Sequence, residues 1–116
     1  MDWLTVQIVA DAAEMALPAS GTAAAKALDR ATKAAKSYIE RRRKDIDWTA
    51  DDLQVGDDLL LGAALLANRY YQRRNSPLGT VGSPDLGLTQ ILRTDPDITA
   101  LLRLNRFTFS AARSSS

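Results

Sequence analysis

Two aspartate pairs, Asp51-Asp52 and Asp57-Asp58, come nearest in this chain to residues whose type and spacing could do chemistry. Adjacent carboxylates can serve as metal ligands or as an acid–base couple. They also start helices, because negative charge near a helix N-terminus is stabilising, and their place just ahead of an apolar run favours that role. Nothing completes a catalytic set around them. The chain has no histidine and no cysteine, which removes the commonest general base and metal ligand, the thiol nucleophile and any disulfide. Gly79, Gly82 and Gly87 follow no strand and match no phosphate-cradling spacing, so they read as turn glycines. The expectation is a protein that is not an enzyme and has no catalytic residue, cofactor or metal.

Basic residues gather in two places. Arg41-Arg42-Arg43-Lys44 closes one apolar-periodic segment, and Arg69, Arg73 and Arg74 close another. Cations at a helix C-terminus complement the dipole and the unpaired carbonyls there. The alternative role is contact with nucleic-acid phosphates, which gives salt-dependent, sequence-blind affinity. Beside the second group stand Tyr70 and Tyr71, and tyrosine with arginine is the composition of an interface hot spot. Core packing accounts for one ring; two rings with three arginines within six residues point to an interface.

The formal charge is +1, from 15 basic and 14 acidic residues, against the clear basic excess of a protein that coats nucleic acid. The charge is sorted locally, however, with six aspartates between Asp45 and Asp58 directly after the basic quartet. At 116 residues the chain makes one domain, enough to bury roughly two-thirds of its unfolded surface. No apolar run approaches the roughly 20 residues that span a bilayer. The N-terminus lacks a basic-then-apolar secretory pattern. A soluble protein made in the cytoplasm is expected, with no membrane partner.

The periodicity predicts a small all-α bundle of about four helices. The first begins at Thr5 as N-cap, with Leu4 and Val9 as a hydrophobic staple, and runs through Ala13 and Ala16 to stop at Pro18. The second runs from Thr22 to about Lys44. Its core stripe is Ala24, Ala27/Leu28, Ala31, Ala34/Ala35 and Tyr38/Ile39, and its wet face includes an Asp29–Lys33 pair. Trp48 and Ile46 plug the end of the bundle, and Thr49, Asp51 or Asp52 caps the third helix. That helix carries the stripe Leu59/Leu60, Ala63/Ala64, Leu66/Ala67 and Tyr70/Tyr71. Leu61 and Leu65 add a second apolar pair on another side, and a helix apolar nearly all round is buried nearly all round. In so small a chain the extra face is expected to meet another copy. Residues 75–87 read as a loop, Leu88 to Arg93 as extended or one helical turn, and Asp95-Pro96 as the start of the last helix. Residues 1–104 thus form a helical domain and 105–116 a C-terminal tail, in which Phe107 and Phe109 alternate with Arg106 and Thr108 as an extended arm would place them.

One order of motifs is distinctive. An alanine-rich helix ends in Tyr38-Ile39-Glu40-Arg41. After an acidic break comes Leu60-Leu61-Gly62-Ala63-Ala64-Leu65-Leu66-Ala67-Asn68-Arg69-Tyr70-Tyr71-Gln72-Arg73-Arg74-Asn75-Ser76-Pro77-Leu78-Gly79. A glycine-rich stretch then leads to Asp95-Pro96-Asp97-Ile98-Thr99-Ala100-Leu101-Leu102. From about residue 5 to 104 this resembles the head–tail connector (adaptor) proteins of long-tailed bacteriophages, particularly those encoded beside the capsid genes in phages of actinobacteria.

The resemblance implies a mostly helical structural virion protein without enzymatic activity. It implies a dodecameric ring under the portal protein at the head–tail junction, joined on its other side to the next connector (stopper) or a tail protein. Genomic DNA would pass through its channel without sequence-specific binding. Carried onto this chain as expectations, Leu61, Leu65, Arg69, Tyr70, Tyr71, Arg73 and Arg74 supply subunit contacts. Ser76, Pro77, Leu78, Arg106, Phe107 and Phe109 supply contacts to the portal or the next ring. Asp57 and Asp58 are lumen candidates, since a basic lumen would brake the passing DNA through its phosphates. The alternative, from another class, is a small helical DNA-binding or DNA-packaging protein using Arg41–Lys44 and Arg69–Arg74.

Overall fold

A computed structural model describes residues 2–73 and 84–103 of the chain, which form five helices and, among the described residues, no strand. These are α1 (Val6–Ala12), α2 (Ala23–Arg42), α3 (Asp57–Gln72), α4 (Pro84–Thr94) and α5 (Pro96–Leu102). The all-α expectation holds. None of these helices is long and apolar enough to cross a membrane.

Helix α3 is the axis of the fold and packs against each of the other four. Its small residues make that possible. Ala63, Ala64 and Ala67 are fully buried and keep the helix surface low, so neighbouring backbones approach closely. Gly62 takes this furthest: a Cβ there would lie 2.8 Å from the Leu101 Cβ and 3.1 Å from Leu102 side-chain atoms. Between the alanines, Leu59, Leu66 and Tyr71 enter one core with Leu28, Tyr38 and Ile39 of α2 and with Leu88, Ile91, Ile98 and Leu102. The predicted stripes of α2 and α3 are the buried faces. Thr32 joins them from a position that reads as polar, its Oγ1 donating to the Leu28 carbonyl at 2.8 Å.

The helix starts follow local chemistry. Thr5 and Thr22 are N-caps, accepting from the Ile8 and Ala25 amides at 3.3 and 3.1 Å. Leu4 and Val9, the expected staple, are both buried in the core. Other boundaries differ from expectation. α1 ends at Ala12, well before Pro18. Glu14 adopts a left-handed φ of 55°, and the Met15 and Glu14 amides donate back to Ala10 and Asp11. This is a Schellman closure with glutamate where glycine is usual, and it turns Met15 onto the core. α3 is capped by Gly56 without a side-chain bond, not by Thr49, Asp51 or Asp52; Thr49 instead bonds Asp47 Oδ1 in a local turn.

The largest correction concerns residues 84–94, which form α4, so Pro84 to Gly87 are helical and not loop. Proline suits a first helical turn. Gly87 is no turn glycine either; it lets α4 pass beside Tyr70, whose Cε1 lies 2.9 Å from where a Cβ would stand. Residues 75–83, the rest of the predicted loop, lie outside the described residues. A short kink at Asp95 leads into α5, with Pro96 at its start as expected but no side-chain bond from Asp95. Thr99 Oγ1 donates to the Leu92 carbonyl at 2.8 Å and fixes that kink.

The end of the bundle closes on two tryptophans. Trp3 and Trp48 stack with centroids 4.9 Å apart. The Trp3 indole donates to Glu40 at 2.9 Å, and the Trp48 indole to the Arg43 carbonyl at 3.0 Å. Trp48 and Ile46 thus pack where the sequence placed them, half-buried against the core.

Candidate functional site

The expected subunit contact begins with Leu61 and Leu65, and the structure separates the two. Leu61 is 46% exposed, one of three large hydrophobics on the described surface with Leu17 and Leu86. Leu65, about 40° further round the helix, is half-buried and packs on the protomer's core. The unpartnered stripe of α3 is therefore narrower than the sequence suggests and centres on Leu61.

The described part of the aromatic–arginine cluster at the other end of α3 is engaged within the protomer. Tyr71 is 8% exposed and belongs to the core, leaving little ring for a second molecule. Tyr70 is half-buried beside Gly87. Arg69 meets Asp95 at 3.6 Å, and Arg73 donates to Thr94 Oγ1 at 3.5 Å. Arg74, Ser76, Pro77, Leu78, Arg106, Phe107 and Phe109 lie outside the described residues.

Asp57 and Asp58 occupy the first turn of α3, the dipole-favoured place for carboxylates. Asp57 is exposed. Asp58 is paired: Arg103, just past α5, donates to it at 3.0 Å. That bond, first among the causes, holds the Asp58 carboxyl below the usual carboxylate range. With Arg69–Asp95 at one end and Asp58–Arg103 at the other, α5 lies antiparallel along α3, closed between them by Gly62. Sequence reasoning does not find Arg103 or Asp95 as partners. Asp58 and Arg103 are 45 positions apart, and no local pattern links them. Among the described residues no three metal-ligating side chains gather.

The basic quartet spends much of its charge inside the protomer. Arg43 grips Asp45 through two bonds of 2.8 Å and donates to the Leu102 carbonyl at 3.0 Å, tying the end of α2 to the end of α5. The bonds to Asp45 hold its guanidinium more firmly protonated still. Arg42 lies over the Tyr38 ring and donates to its hydroxyl at 3.1 Å. Arg41 donates to the Ser37 carbonyl at 3.4 Å. A groove of about 500 Å³ between the N-terminal segment and α2 is lined by charges that pair with one another, Lys33 with Asp29 and Lys36 with Glu40, both at 3.0 Å.

The chemistry on offer is that of contact: a bundle closed by its own ion pairs, with one leucine left out on its central helix. Comparison with protein-family models, with curated proteins and with solved structures finds no match to this chain.

Proposed function

We propose that this chain is a structural virion protein, a head-to-tail connector (adaptor) that forms a ring beneath the portal, extends the DNA channel and joins capsid to tail. The observation that carries the reading is Leu61. On the helix that contacts all four others, whose middle from Leu59 to Asn68 is otherwise buried or half-buried, this leucine stands 46% exposed. It is the residue a second copy would cover. The motif order from Tyr38 to Leu102 supports the same reading by its resemblance to that family. In this account Leu61 lies at the subunit contact, with Leu65 at its edge. Arg69, Tyr70 and Arg73 shape the protomer's own end. Contacts to the portal and the next ring are assigned to residues 75–83 and the tail with Phe107 and Phe109, and the exposed Asp57 is the stronger lumen candidate of the pair.

A Leu61→Glu variant tests this. A carboxylate set against an apolar neighbour costs several kcal/mol when buried unpaired, so the variant is expected to keep wild-type helicity by circular dichroism yet fail to co-sediment with portal rings. Undiminished co-sedimentation would remove Leu61 from the contact.

A further inference from the structure

Burying the rest of one leucine side chain is too small a contribution to hold a ring, so a second source of attraction is needed. The surface of α2 supplies one half of it. Lys26, Arg30, Lys33, Ser37 and Arg41 follow one another at steps of four, three, four and four, which sets them on one face within about 80° of helix rotation. All five are exposed. The ridge they form is about 22 Å long. Lys33 pairs with Asp29 at 3.0 Å, whereas Lys26 and Arg30 meet no carboxylate among the described residues.

The other half lies in the segment between α2 and α3. Asp47, Asp51 and Asp52 are exposed there, with Asp57 at the head of α3. Asp51, Asp52 and Asp57 have no cation partner among the described residues. The Trp48 indole bond to the Arg43 carbonyl folds this acidic segment over the C-terminal end of α2. Lys26 and Arg30 stand toward the opposite end, Arg30 about 18 Å from Arg42 along the helix. Lys26 and Arg30 are thus held apart from Asp51 and Asp52 on the same rod.

We infer that the basic ridge of α2, centred on Lys26 and Arg30, docks against the exposed Asp51 and Asp52 of a second copy of this chain. The contact is head-to-tail: each copy offers its ridge to one neighbour and its acidic segment to the other. Contacts of this heterologous kind close into a ring when the rotation permits. Opposite charge fixes the order and speeds encounter, while a ridge facing a ridge is repelled. The near-zero net charge, +1, is what a surface that must match its own opposite requires. The inference rests on the ring reading for closure, but it names a different surface from Leu61.

Two double variants test it, Lys26→Glu/Arg30→Glu and Asp51→Lys/Asp52→Lys, all at exposed positions, with helicity checked by circular dichroism. Sedimentation is measured for wild type, for each variant and for their equimolar mixture, at low and high salt and with and without portal rings. Each variant alone is expected to need a concentration higher by about tenfold or more for half assembly. The mixture is expected to recover wild-type assembly, because the altered ridge of one variant then meets the altered segment of the other with opposite charge, and the two unaltered patches match as in wild type. If both variants assemble as wild type does, the charge contact is overturned and the ring stands on other surfaces. If wild type and mixture stay monomeric even with portal rings, contact and ring reading fall together. If a short DNA duplex binds wild type, binding is lost in Lys26→Glu/Arg30→Glu, and the mixture does not assemble, the ridge serves nucleic acid and the inference is wrong.

Discussion

Helices α2 and α3 are the two longest elements and solve opposite problems. α2 divides cleanly, with Leu28, Ala31, Ala35, Tyr38 and Ile39 buried on one face and Lys26, Arg30, Lys33 and Arg41 exposed on the other. A helix so divided needs a core on one side only and can present charge on the other. α3 has no comparable wet face through its middle. Between Leu59 and Asn68 only Leu61 is exposed, with Leu60 and Leu65 half-buried. Its apolar surface is used up by four neighbours except at one leucine. In the proposed assembly, charge on the outside of α2 sets what the molecule meets and the apolar remainder on α3 sets how closely it can be met.

The strongest way to break the contrast is inside α3. Leu66 is fully buried, so Leu66→Ala is expected to cost about 3 kcal/mol of unfolding free energy. Leu61→Ala, on the same helix, should cost about 0.5 kcal/mol or less. Urea denaturation of the two variants checks the difference. Similar losses would mean that Leu61 is core and that no apolar stripe remains for a neighbour. Next in size is Gly62→Ala. Its Cβ would come within 2.8 Å of Leu101, and overpacking of this kind costs about 1–3 kcal/mol. An alanine at an open helical position would instead raise stability.

Much of this architecture is legible from residue types. The Thr5 cap, the start of α2 near Thr22, the core stripes of α2 and α3, the Asp29–Lys33 pair and the Trp48 plug follow from residue types and their spacing along the chain. What escapes has nonlocal or silent causes. The end of α1 leaves no mark because glutamate, not glycine, takes the left-handed position. α4 is hidden because Pro84 and Gly87 are loop formers by type, while here one starts the helix and the other makes room for Tyr70. At the candidate site, periodicity pairs Leu61 with Leu65 but carries no information on how far round α3 the core extends. The burial of Tyr71 and the surface pairing of Arg69 and Arg73 with Asp95 and Thr94 depend on α4 and the Asp95 kink, which no pattern near residue 70 announces.

Acid titration sharpens the comparison at each helix. On α2, burial pushes the Glu40 carboxyl up, but bonds from Trp3 and Lys36 outweigh it and leave it below its ordinary value. On α3, Arg103 does the same for Asp58. A carboxyl lowered in the folded state stabilises above its unfolded pKa, and that share is lost as pH falls through the folded one. With no histidine in the chain, stability is expected to be flat from pH 7 to about 5 and to fall below about 4. Thermal melts across that range check it, and tryptophan fluorescence should follow because Trp3 holds Glu40. Smallest of all is the exposed Asp29–Lys33 pair: Lys33→Ala should cost only about 0.3 kcal/mol, a difference readable in urea midpoints.

The central claim, that copies of this chain assemble as a ring on a portal, is met most directly by electron microscopy of the purified protein added to isolated portal rings. The account predicts a second ring coaxial with the portal, with neighbouring copies in contact at Leu61. Portal rings left bare at saturating protein, with the added chain still monomeric, would contradict it.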